Sequence, residues 1–261
     1  MTSRAVRWIA PVVGLAVLLA VWELGVRLAG LEPFELPAPS RVARALVDTR
    51  AVLPSHIRAT VSVALGGLGL GAVVGIAVAA VLTAVPLLRH ALQPLLVASQ
   101  SVPAVVIAPI FIVWFGFGTF PRVLVVALVV FFPIAVATID GLAGADPELV
   151  DLLRAMGGGR LEVLRRVRLP HAAGSFISGL RIAAAYAMFG AVVAEYMGGT
   201  SHGLGVYLLR SQNNFRNDQV FVAVVLIAAV SVVLFVAVAA LGRLVTPWQS
   251  ATTDRPGDVS R

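Results

Sequence analysis

Four histidines, at positions 56, 90, 171 and 202, are the side chains of this 261-residue chain most able to ligate a metal. They are scattered among loops, and no two stand at the i, i+4 spacing that sets a ligand pair on one helix face. The sequence has no cysteine, which excludes disulfides, thiol nucleophiles and iron-sulfur ligation. It also has no lysine, so the phosphate-cradling GxxxxGK[ST] loop cannot be built and nucleotide hydrolysis must come from a partner. Serine, histidine and acidic residues occur without a G-x-S-x-G elbow or a comparable nucleophile-base arrangement. Neither an enzyme nor a resident cofactor or metal is expected.

Other polar residues stand out by position. Ser99, Gln100 and Ser101 lie just before Pro103 inside an apolar stretch. They are candidates to line a passage, with ordinary interhelical hydrogen bonding as the alternative. Glu195 lies near the end of another apolar stretch, where an ionised carboxylate costs about 2.5–3.5 kcal/mol at mid-membrane and less near an interface. It is read either as part of a path or gate, or as an interfacial glutamate satisfied by a partner. Arg181, one turn inside the same stretch, can snorkel to the cytoplasmic face or pair with Asp140, and the structural pairing is the favoured reading. Glu23 and Glu195 have no evident counter-charge at matching depth.

The elements that must hold these residues are set by composition. With 59% of residues hydrophobic and 13% charged, long segments cannot reach water, so the chain reads as an all-α, polytopic membrane helix bundle. A spanning helix needs about 20 apolar residues. About six spans are expected: 8–28, 59–85, 91–115, 122–139, 176–197 and 220–245. The first, residues 1–30 with its flanks, reads as a retained helix rather than a cleaved signal, because no A-x-A site follows. Residues 31–56 form an external loop with one short helix capped by Ser40. The helix-bundle core covers 57–246, with a cytoplasmic polar loop at 145–175 and a disordered tail at 247–261.

In the second span Gly67, Gly71, Gly75 and Ala79 repeat every four residues, a ridge suited to bundle packing or to a dimer contact. The third span carries Pro94, Pro103 and Pro109, and freed carbonyls in a membrane survive only where protein or a wet cavity satisfies them. Asp140 and Gly141 are expected to end the fourth span.

The 145–175 loop has its own pattern. Asp146 and Pro147 start a helix, and Leu149, Leu152, Leu153 and Met156 recur at i, i+3, i+4 and i+7 as one apolar face. Gly157, Gly158 and Gly159 permit a chain reversal, and Pro170 stops or kinks the basic segment that follows. An apolar face on a projecting knob needs a partner surface.

The spacing of Asp151, Gly157, Val167, Leu169 and Pro170 resembles the E-A-A, three residues, G, nine residues, I-x-L-P motif of ABC-importer permeases. Leu152 and Leu153 replace the two alanines and Asp151 the glutamate. Pro103-Ala-Val-Val-Ile-Ala-Pro109, Trp114-Phe-Gly116, Phe132-Pro133 and Gly203-Leu-Gly205 extend the likeness to the nitrate, sulfonate and taurine importer permeases. The resemblance implies a type I ABC-importer permease fold in a bacterial inner membrane. It also implies ABC ATPase subunits docked through residues 149–170, an external substrate-binding protein, and a second permease subunit, expected to be another copy.

Arginine counting puts both termini in the cytoplasm, with the block Arg160, Arg165, Arg166 and Arg168 inside and Arg41, Arg44, Arg50, Arg58, Arg210 and Arg216 outside. Arginines spread over loops between spans fit membrane topology and not nucleic acid. The stretches Ala194–Gly199 and Gln212–Arg216 resemble the branch that carries the pyrimidine precursor of thiamine. A stand-alone secondary transporter or channel is the competing class, though it would require repeats and paired intramembrane charges.

Overall fold

The computed structural model describes residues 4–99, 103–197 and 201–246, and every regular element among them is helical. The tail from 247 onward lies outside the described residues. In order the helices are α1 (Arg4–Ala29), α2 (Pro39–Thr49), α3 (Leu53–Ala84), α4 (Pro86–Ser99), α5 (Ala104–Phe115), α6 (Thr119–Ala143), α7 (Pro147–Ala155), α8 (Arg160–Val163), α9 (Leu169–Met197), α10 (Leu204–Asn213) and α11 (Asn217–Val245). One wide π-type turn, Leu164–Arg168, joins α8 to α9, so helix runs without interruption from Arg160 to Met197.

Five of these helical stretches are long and apolar enough to cross a membrane: Val12–Ala29, α3, α6, Arg160–Met197 and α11. The expected span over 91–115 is instead two shorter helices, α4 and α5, with the chain extended at Pro103. Pro103 is the N-cap of α5 with an extended backbone, a place where its missing donor leaves no helical hydrogen bond unmade. Pro94 and Pro109 are carried inside α4 and α5.

By contact the chain divides into two units, residues 1–59 with 201–228 and residues 60–200 with 229–261. In the larger unit α6 is the central helix, clasped by glycines on two neighbours. A methyl group on Gly67 of α3 would lie 2.3 Å from Val126 Cβ, and one on Gly71 would lie 2.9 Å from the Ala127 carbonyl. On the other side, a methyl on Gly179 of α9 would lie 2.7 Å from the Pro133 carbonyl. Without side-chain bulk at these positions the backbones approach closely and gain dispersion contacts along the crossing. The ridge on α3 is thus used within the chain, and Ala79 at its end is fully buried. Val126, Val130, Ile134, Ala183, Ala187 and Met188 fill the core around α6.

Gly141 does not end α6, which continues to Ala143 and is capped at Gly144. A methyl at Gly141 would come within 2.8 Å of Ala172 Cα, so this glycine serves the approach of α9.

In the smaller unit α2 and α10 pack around Val42, Ala45, Leu53, Tyr207, Val222 and Ala223. Ser40 does not cap α2: the N-cap is Ala38, and Pro39 occupies the first turn, where a missing N–H costs nothing. The Ser40 hydroxyl and backbone N–H instead donate to the Glu23 carboxylate at 2.8 and 2.9 Å. Glu23 also pairs with Arg27 at 2.6 Å, one turn on, so the counter-charge not evident in the sequence is local to α1. Burial holds the Tyr207 hydroxyl above the usual phenol range, and it donates to Thr49 Oγ1 at 3.3 Å.

Candidate functional site

The segment 146–170 forms a projection built as two helical arms around a turn. Asp146 Oδ1 accepts from the Glu148 N–H at 2.9 Å and Pro147 follows, which fixes the start of α7. At its end the Gly157 N–H donates to the Arg154 carbonyl and the Gly158 N–H to the Leu153 carbonyl, both at 2.9 Å. These two bonds, with Gly157 at φ +87°, are a complete Schellman turn. Gly158 lacks a Cβ for a second reason, since one would lie 2.7 Å from the Leu153 carbonyl. Gly159 has an extended backbone and open space around it.

Alpha-helical periodicity then sorts the side chains of α7. Leu149, Leu152 and Met156 are 51%, 59% and 75% exposed, whereas Leu153 is half-buried and Val150 is buried. The expected apolar face is therefore an outward stripe of three residues, joined by exposed Leu161 at the start of α8. Val150, which the sequence reading did not select, is the residue that ties α7 inward. Asp151 is exposed and reaches Arg154 at 3.5 Å, a surface pair on the same helix.

Pro170 does not end the second arm. A proline within a helix loses its donor and presses on the carbonyl four residues back, here that of Arg166. The Leu169 N–H bonds to the Leu164 carbonyl five residues back, and this widened turn accommodates the ring. Val167 sits half-buried in the wide turn, and Leu169 and Pro170 are exposed at the first turn of α9.

The proposed path residues fall differently. Gln100 and Ser101 lie outside the described residues, as does the side chain of Ser99, the last residue of α4. Pro103 is exposed at the N-cap of α5. Glu195, on α9, is only 2% exposed and accepts from Thr60 Oγ1 at 2.8 and 3.0 Å. Arg122 of α6 is buried too; it donates from Nε to the Gly118 carbonyl at 2.8 Å and interacts electrostatically with Glu195. Three helices thus contribute one buried polar group each to a single cluster. Sequence reasoning found Glu195 but missed Thr60 and Arg122, because neither is near it in the chain and both sit in stretches that otherwise read as apolar.

Arg181 does not pair with Asp140 among the described residues. It lies against α11 at Gly242, and its Nε has no hydrogen-bond partner. His56 and His202, far apart in sequence, have ring centroids 5.6 Å apart, and His56 Nδ1 lies 2.8 Å from the Gly203 carbonyl. Among the described residues no three potential ligands gather into a metal site.

Comparison with known proteins agrees with this architecture. Residues 67–250 match the family described as the binding-protein-dependent transport system inner membrane component. The formylaminopyrimidine transport permease protein ThiX of Halalkalibacterium halodurans is 32% identical over 248 residues, covering 95% of this chain and 98% of that protein. The riboflavin transport system permease protein RibX of Chloroflexus aurantiacus is 36% identical over 241 residues, covering 92% and 90%. Among solved structures, an amino acid ABC transporter crystallised with histidines superposes with a TM-score of 0.61 at 16% identity, over 78% of this chain and 96% of that one. These relatives are permeases and not enzymes, and the fold is that of type I ABC-importer permeases. With the family match spanning most of the chain and the bundle carrying a projecting two-armed loop, the chain belongs to the binding-protein-dependent transport system inner membrane components, as a permease subunit of an ABC importer.

Proposed function

We propose that this permease forms the translocation path for a small solute delivered by an external binding protein, and that α7 transmits the closure of a partner ATPase to the bundle. The observation that carries the proposal is the outward stripe of Leu149, Leu152 and Met156, held at a fixed angle by the turn at Gly157. Burying each such side chain is worth about 1.5–3 kcal/mol at most, so the stripe gains from a docked groove what it lacks in water. The absence of lysine from the sequence assigns ATP hydrolysis to the partner. Val167, Leu169 and Pro170 support the docked arm from the membrane side.

The two subunits of the permease are two copies of this chain, with both termini cytoplasmic and the path opening beside the break between α4 and α5. Glu195 belongs to that path as a closure element, holding α9 to α3 through Thr60. The transport names of ThiX and RibX favour a heteroaromatic vitamin or vitamin precursor as the solute, ahead of nitrate, sulfonate or taurine.

Co-purification of the permease with its ATPase tests the reading. Leu152→Glu combined with Met156→Glu should abolish assembly and ATP-dependent uptake in proteoliposomes while leaving the bundle folded. Uptake driven by an ion gradient in vesicles holding this chain alone would instead mark a stand-alone secondary transporter.

A further inference from the structure

Arg181 is a charged side chain inside a membrane-spanning helix, and the fold leaves it without a partner. Its Nε is buried and makes no hydrogen bond, and among the described residues no carboxylate pairs with the guanidinium. Buried polar groups are otherwise almost always satisfied, and a charge within a membrane is costly unless something takes it up. The neighbouring helix nevertheless makes room for it. α11 carries glycine at position 242, where a methyl would lie 3.1 Å from Arg181 Nη2. Arg243, the next residue on α11, is exposed and likewise unpaired among the described residues. Two unpaired guanidiniums are thus set on adjoining helices.

Their depth follows from the two helices. Arg181 is level with Gly242, and α11 ends at Val245, about 4.5 Å further on at a rise of about 1.5 Å per residue. In the other direction the helix from Arg181 to Met197 covers about 24 Å, most of a hydrocarbon core of about 30 Å. Both lengths put the pair at the boundary between acyl chains and headgroups, on the side of the basic loop at 144–168. The surroundings are apolar. Ile182, beside Arg181, is exposed, and Val233, Val236 and Leu244 are exposed along one stripe of α11.

We propose that Arg181 and Arg243 bind the phosphate of an anionic lipid such as phosphatidylglycerol, in the leaflet on the side of the 144–168 loop, with its acyl chains against the α11 stripe. A guanidinium presents parallel N–H donors that match phosphate oxygens, and basic sites between membrane helices on the cytoplasmic side suit such headgroups. A free phosphate offers the same oxygens but leaves the apolar stripe bare, so the lipid is the favoured source. The site does not depend on which solute is carried. It rests on the membrane reading of the chain, and its leaflet on the arginine bias.

Native mass spectrometry of the full permease–ATPase complex, released from micelles holding phosphatidylglycerol and phosphatidylcholine in equal amounts, counts the lipids that stay bound. Wild type should retain phosphatidylglycerol in preference to phosphatidylcholine. The affinity for phosphatidylglycerol should fall about fivefold in Arg243→Gln and about thirtyfold in Arg181→Gln combined with Arg243→Gln. Arg44→Gln, at an exposed arginine of the smaller unit, should leave it unchanged. Melting temperature gives a second reading that does not require Arg181→Gln to fold. Phosphatidylglycerol should raise it in wild type above its value in phosphatidylcholine, and the rise should shrink in Arg243→Gln. Inorganic phosphate added to phosphatidylcholine micelles should not reproduce the rise. Affinity within twofold of wild type in both Arg243→Gln and the double variant overturns the inference. So does a rise that inorganic phosphate reproduces and Arg243→Gln abolishes, because the site then takes a free anion.

Discussion

Gly157 and Gly159 are chemically identical and two residues apart, but they carry different conformational demands. Gly157 stands at φ +87°, where a Cβ meets the backbone, so Gly157→Ala should cost about 1–2 kcal/mol and loosen the angle of α7. Gly159→Ala should be neutral, because its backbone is extended and nothing surrounds it. Thermal unfolding of the purified variants separates the two, and equal melting temperatures would refute the assignment. The triple glycine was legible in the sequence as a turn; which of the three closes it was not, since that depends on the bonds to Arg154 and Leu153. The same limit applies to Glu195. A buried carboxylate was visible, but its partners come from α3 and α6 and are brought to it only by the fold. Thr60→Val, which keeps the shape and removes the donor, should destabilise the bundle by roughly 1–3 kcal/mol.

At the scale of elements, the apolar period coincides with five long helices and with α7 but not over 91–115, where two shorter helices stand, and some prolines and glycines were read too literally as breaks. Pro103 does precede a new helix as its N-cap, but Pro94 and Pro109 remain inside theirs, and Pro170 is absorbed by a wide turn. Gly141 looked like a terminator and proves to be a contact. What decides these cases is the neighbouring helix, which no local pattern contains. A consequence follows for α3 and α6. Gly67→Ala places a methyl 2.3 Å from Val126 Cβ, so the helices must separate, at a cost of about 1–3 kcal/mol. Gly69→Ala, on the same helix with open space around it, should be silent. A loss of stability confined to the first variant, measured in the same detergent, is the expected result.

For the whole molecule, we propose from the alternation of apolar spans along the sequence that segments 31–52 and 201–216 share one side of the membrane and 144–168 faces the other, α4 and α5 together making one crossing. The smaller unit is consistent with this, because the Asn217 side chain donates to the Phe34 carbonyl and Arg41 pairs with Asp218. We propose that the side carrying the densely basic loop at 144–168 is the cytoplasmic one, by the positive-inside bias, with the arginines around α2 and α10 on the opposite side. The lack of native cysteine makes the orientation directly measurable, since any thiol signal must come from an introduced residue. Arg44→Cys and Met156→Cys replace exposed side chains in the two segments. A membrane-impermeant maleimide applied to intact spheroplasts should label the first at once and the second only after permeabilisation. The reverse order would invert the topology, put the stripe on α7 outside, and remove it from the reach of any cytoplasmic ATPase.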